Sequence, residues 1–163
     1  MTRLWESWLD CCEQPVDTRS LAVLRIAVAV VAILDLVEVW RLGLVDVFYR
    51  SYASGGLGAF SDASLFLDAA WMGPWAFWGT LACLVCVALG VATRPAMIGA
   101  LVLWAQLGHL YPPGDRAIDR ILRTVLLFLL FSASHTRWSW NSAPKLLKAP
   151  AWPLHLLRWL LVL

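Results

Sequence analysis

Residues 71–92 run for twenty-two positions without one charged side chain. A helix of about 20 residues is about 30 Å long, which matches the hydrocarbon core of a bilayer. In a soluble fold such a segment would need a thick polar shell, and this chain has little to make one from. Of its 163 residues 61% are hydrophobic and 15% charged, and the mean hydropathy is +0.70. Soluble domains run about half apolar and about a quarter charged. A single soluble domain of this size could not hide so much apolar surface. The composition therefore places the chain in a membrane. It excludes disorder and a disulfide-dense secreted module, and a net charge of only +2 speaks against a nucleic-acid binder.

The expected fold is all-α: a polytopic helical membrane protein with four complete transmembrane helices, a truncated fifth and an amino-terminal interfacial helix. Residues 1–17 read as that interfacial helix, with Leu4, Trp5, Trp8, Leu9 and Cys12 on one stripe. The membrane domain is expected over residues 18–163. Its first span covers residues 21–40 and is followed by a polar loop at 41–68. The second covers 71–92, and Arg94-Pro95 marks a tight turn into a third that ends near Tyr111. Pro112-Pro113-Gly114-Asp115 is a strong turn signal, and a fourth span covers 117–134. A fifth apolar run starts at Trp152 and reaches Leu163 after twelve residues, about 18 Å of helix. That is too short to cross, so the chain is expected to be a fragment.

Basic loop residues set the expected orientation. Arg3, Arg19, Arg94, Arg137, Lys145 and Lys148 fall on one side, and Arg41, Arg50, Arg116 and Arg120 on the other. The excess favours a cytoplasmic amino terminus, and a multi-pass place in the cell (plasma) membrane is expected. The acid-free tail after Asp119 reads as basic loop facing anionic lipid.

With that topology the first span ends, and the fourth begins, on the outer side. Asp35 and Glu38 then lie at the depth of Asp119, Arg120 and Arg123. An isolated charge at the centre of a membrane helix costs about 2.5–3.5 kcal/mol, and pairing between helices is the cheapest remedy. Two readings stay open. The five residues form a structural ion-pair cluster locking helix to helix, or an outer-side polar pocket that binds a substrate or a proton. Arg25 and Arg158, both toward the cytoplasmic side, either snorkel to the interface or grip a phosphate or carboxylate head group.

Other residues carry less. Cys83 and Cys86 form a Cys-x-x-Cys in mid-span, where nothing would stabilise a thiolate. Cys11 and Cys12 are vicinal and too close for an ordinary disulfide. His109 and His135 fall at opposite ends of the spans and cannot share an ion, so no metal site is expected. Most of the eleven tryptophans flank spans, as an aromatic belt does, while Trp78 and Trp104 lie deeper.

Several segments resemble one family in register. Leu21-Ala-Val-Leu-Arg25-Ile followed by Leu34-Asp35 is similar to the opening of the HTTM domain, the bacterial relative of the membrane part of vitamin K-dependent γ-carboxylases. Leu89-Gly90-x-x-Thr93-Arg94 looks like that family's link between spans two and three. Asp119, Arg137-Trp138-Ser139-Trp140, and Pro150-x-Trp152 with Arg158 resemble its later landmarks. The resemblance implies a multi-span helical domain with a cytoplasmic start. It implies vitamin K hydroquinone as the family's cofactor, deprotonated by a lysine of the fifth span. This chain ends before that position, so the resemblance assigns no catalytic residue and implies a portion inactive alone. No cofactor is evident from the residues themselves.

The expected partners are the bilayer, a lipophilic or quinone-like substrate, and a further part of the membrane domain or a second membrane protein. A rival reading makes the chain a non-catalytic membrane subunit or scaffold whose polar residues only hold helices together. A third is a quinone-binding or haem redox carrier.

Overall fold

The computed structural model describes residues 15–50, 55–58, 72–132, 134, 148–153, 155 and 156. In chain order these form β1 (Pro15–Asp17), α1 (Thr18–Arg41), α2 (Val45–Tyr49), α3 (Met72–Leu89), α4 (Thr93–Leu110), a 3₁₀ turn (Pro112–Gly114), α5 (Ala117–Phe131) and β2 (Lys148–Pro150). The architecture is helical, with a two-stranded ribbon as its only sheet among the described residues. Two of the helices, α1 and α3, are long and apolar enough to cross a membrane by length and composition.

The long helices pack in a closed ring in which α1 and α4 each touch α3 and α5. Short connections make α3–α4 and α4–α5 antiparallel pairs. The end of α1 lies beside the start of α3, where the Trp40 and Trp78 rings meet edge to face at 5.7 Å. One end of the ring therefore gathers the close of α1, all of α2, the close of α4 and the start of α5.

The ring's interior is apolar: Leu21, Ala32 and Leu36 of α1, Phe77 and Leu84 of α3, Met97 and Leu107 of α4, and Leu126 and Leu129 of α5 are all buried. The α3–α4 seam is close because it is lined with small residues, as membrane helix pairs are. A Cβ at Gly79 would sit 3.0 Å from Leu103 Cδ1, and one at Gly99 would sit 2.9 Å from Cys83 Sγ. Cys83 is thus a packing residue against Gly99, and Cys83 and Cys86 are both free thiols. The outer faces are apolar too. Val30, Val31 and Leu34 of α1, Val85 of α3, Ile98 and Val102 of α4, and Ile121, Leu127 and Phe131 of α5 are exposed.

Helix ends follow from local chemistry. Asp17 caps α1, its carboxylate accepting from the Arg19 N–H at 3.0 Å. Gly43 stops α1 in a left-handed conformation (φ +68°) that favours glycine, and its N–H donates to the Trp40 carbonyl at 2.9 Å. Ser132 and Ser134 close α5, both hydroxyls donating to the Leu129 carbonyl.

The interfacial helix expected over residues 1–17 lies outside the described residues up to residue 14, and its last three residues differ from the expectation. Pro15–Asp17 pair antiparallel with Lys148–Pro150, Pro15 opposite Pro150. Proline lacks an N–H and suits an edge strand better than the last turn of a helix. Of the fifth apolar run, residues 152, 153, 155 and 156 are helical, and residues 157–163 lie outside the description.

Candidate functional site

Among the described residues, six charged side chains meet at the end of the ring where α1 finishes and α5 begins. Arg116, the residue before α5, is the bridge. One of its Nη atoms donates to Asp35 of α1, and its Nε donates to Asp119 Oδ2 at 3.3 Å. Its backbone N–H donates to the same Asp119 oxygen at 3.0 Å. Asp119 therefore satisfies an amino-terminal N–H of α5 while facing the positive end of the helix dipole. Its side chain is 7% exposed, against 26% for Asp35 and 53% for Arg116.

A second group forms around Asp115, which the 3₁₀ turn swings back toward α5. Its two carboxylate oxygens each accept from a different arginine, Oδ2 from Arg120 Nε at 2.9 Å and Oδ1 from Arg123 Nη2. Arg123 also donates to the Trp104 carbonyl of α4 at 3.2 Å. Gly108 makes room for this pair. A Cβ there would lie 2.8 Å from Arg123 Nη1 and 2.9 Å from Asp115 Cγ.

Beside these charges lies a cavity of about 320 Å³. Asp35, Glu38, Asp115, Arg116 and Asp119 supply its polar wall. Its apolar wall comes from Leu36 and Val39 of α1, Phe48 and Tyr49 of α2, and Trp104, Leu107 and Tyr111 on and just after α4. Phe48 stacks on Tyr111 with centroids 4.5 Å apart, and Tyr49 packs on Phe77 at 5.9 Å. Gly73 of α3 lets α2 settle there, because any Cβ at that position would run into the Tyr49 carbonyl oxygen.

The electrostatics differ between the two groups. Burial works against ionisation of Asp115, but the hydrogen bonds and charges of Arg123 and Arg120 outweigh it and hold the carboxyl below its ordinary 3.8. Burial, and then the charges of Asp119 and Asp35, push the Tyr49 phenol up to about 12, with Arg116 opposing.

Of the residues singled out in the sequence, Asp35 and Asp119 meet on Arg116. Arg120 and Arg123 do not pair with either of them and go to Asp115 instead. Glu38 lines the cavity, and its ion-pair partner is the exposed Arg41 at 3.7 Å. Arg25 does not snorkel. Its side chain is fully buried, and Nη1 donates to the Ser134 carbonyl at 2.7 Å, tying the start of α1 to the end of α5. Arg158 and His135 lie outside the described residues. His109 is exposed at the end of α4. Among the described residues no three His, Cys, Asp or Glu side chains converge as a metal site.

The sequence reading missed Asp115, Arg116, Phe48, Tyr49 and Tyr111. A signal existed for Arg116, which precedes α5 and stands three residues before an acidic group in the first turn. Comparison with family models, curated proteins and solved structures returns no match.

Proposed function

We propose that this chain is a multi-pass protein of the plasma membrane, with a cytoplasmic amino terminus, whose cavity faces the outer side and holds a lipophilic or quinone-like molecule. The resemblance to the HTTM domain fits that class. The observation that carries the ligand reading is the cavity. Aromatic and aliphatic side chains line it together with a few polar groups, as in a small-molecule site. Crossing by α4 and α5 as well as α1 and α3 is supported by Ile98, Val102, Ile121 and Phe131, apolar side chains exposed where a soluble bundle would be polar.

A second reading has its own support. Every one of the six charges in the cluster has an opposite partner. Such a network can serve only to clamp α1 to α5 in a non-catalytic subunit.

One experiment separates the two. The purified protein is titrated with a short-chain benzoquinone while its thermal unfolding is followed. Saturable stabilisation that Asp35→Asn abolishes supports the binding site. Loss of stability in Asp35→Asn with no effect of any lipophilic probe in either protein leaves the clamp. Labelling of single cysteines placed at Arg94 and Pro113 tests the topology. Labelling from opposite faces of intact vesicles is expected, and labelling from one face would refute the multi-pass reading.

A further inference from the structure

Charge is divided unevenly between the two halves of the cluster. Asp115 takes two guanidinium groups, Arg120 and Arg123. Asp35 and Asp119 share one, Arg116. The cluster is neutral in sum, yet its Asp35–Asp119 half carries a net negative charge. Both carboxylates of that half line the cavity, whereas Arg120 and Arg123 do not. Asp115, held by its two arginines, and Glu38 also line it. The partner of Glu38, Arg41, is 71% exposed and 3.7 Å away, a pair that water screens strongly.

Tyr49, which also lines the cavity, senses this imbalance. The carboxylates of Asp119 and Asp35 disfavour its phenolate more than Arg116 favours it. The remaining walls present aromatic rings, Phe48 stacked on Tyr111 beside Tyr49. Carboxylates in excess beside aromatic rings are the surroundings in which an ammonium group is held, by charge and by the ring quadrupoles together. A neutral quinone head would leave the excess charge unmet, and an anionic head would be repelled.

We infer that the cavity takes an amphiphilic amine, its ammonium head between Asp35, Glu38 and the aromatic rings and its alkyl chain along Leu36, Val39 and Leu107. This rests on the cavity being a ligand site and names the chemistry of its ligand. Leu36 and Leu107 are buried in the apolar interior of the ring, so the alkyl chain of the ligand lies among apolar side chains.

The test uses the full chain in an uncharged maltoside detergent, titrated calorimetrically with dodecyltrimethylammonium, with dodecanol as the chain-matched neutral probe and a short-chain benzoquinone as the third. Saturable binding of the amine at least tenfold tighter than dodecanol is expected. Glu38→Gln, whose side chain is exposed and outside the buried pairs, should weaken the amine about threefold and leave thermal unfolding unchanged. Asp35→Asn should weaken it about tenfold where that variant folds. Equal binding of amine and alcohol, or amine binding indifferent to Glu38→Gln, overturns the inference. If the quinone saturates and the amine does not, the amine falls while the ligand site stands. If neither saturates, both fall.

Discussion

Arg116 and Asp35 lie eighty-one residues apart in the chain and share a hydrogen-bonded ion pair that joins the end of α1 to the entrance of α5. Because the same guanidinium also serves Asp119, removing it leaves both carboxylates without their ion-pair partner among the described residues. Arg116→Ala is expected to lower the unfolding temperature in detergent, with a loss of about 1–2 kcal/mol, since half-exposed ion pairs are worth less than buried ones. A double-mutant cycle with Asp35→Asn should return a coupling of about 1 kcal/mol. Strict additivity would mean that the pair does not hold the helices together.

Gly73 is the point where α3 meets the backbone of Tyr49. Gly73→Ala should force α2 off α3 and open the aromatic wall, costing about 1–3 kcal/mol as overpacking does. Gly55→Ala meets nothing within 4 Å and, although its φ of +82° makes it a strained position, it should leave the wall in place. Equal loss of stilbene- or dye-type probe binding in both variants would contradict this assignment.

Acid should weaken the fold through Asp115. Its carboxyl is held below the ordinary 3.8, so its contribution is present above that value and is lost as pH falls through the lower folded-state value. Unfolding temperatures measured from neutral pH down to pH 3 should fall less steeply in Asp115→Asn than in the parent, although the variant starts from a lower stability.

Alkali should act through Tyr49 with the opposite sign. The phenol is raised from 10.0 to about 12, so the stability it contributes is complete below pH 10.0 and is lost as pH rises toward about 12. Tyr49→Phe should remove this alkaline loss, which amounts to about 3 kcal/mol at most. The phenolate absorbance band gives the titration directly, and a midpoint near 10.0 would show an open, solvated ring.

The apolar outer faces of α4 and α5 bear on the membrane setting. Ile98→Asp and Ile121→Asp each place a carboxylate on an exposed position of these helices. In a bilayer each should cost about 2.5–3.5 kcal/mol if it lies near mid-depth, and reduce the yield of membrane-inserted protein. Normal yields of both would indicate that these faces meet water.

Much of this molecule could be read before any coordinate. The charge-free stretch at 71–92, the Arg94-Pro95 turn and the Pro112–Asp115 turn announce α3, α4 and α5, because helix formation depends on local composition and on where proline and glycine interrupt it. The need of Asp35 and Asp119 for partners was legible in the same way, since both are carboxylates in or entering apolar helices. The choice of partner was not. Helical spacing put Asp119 and Arg123 on one face, yet Arg123 belongs to Asp115 and Asp119 to Arg116. That exchange comes from the 3₁₀ turn, which folds Asp115 back over the start of α5, and from the space left by Gly108.

Arg25 and the aromatic wall teach the same lesson. Five residues into an apolar helix, Arg25 read as a side chain reaching for an interface, but the antiparallel packing of α1 and α5 brings it the Ser134 carbonyl. Phe48, Tyr49 and Tyr111 sit in or beside connections whose periodicity is too short to read, and only the docking of α2 on α3 puts them around one cavity. Sequence alone determined the long helices and their apolar character, because both depend on neighbours along the chain. Tertiary structure decided which charge meets which and where a cavity is left, because hydrogen bonds act over about 3 Å and contact between helices is set by the closure of the ring.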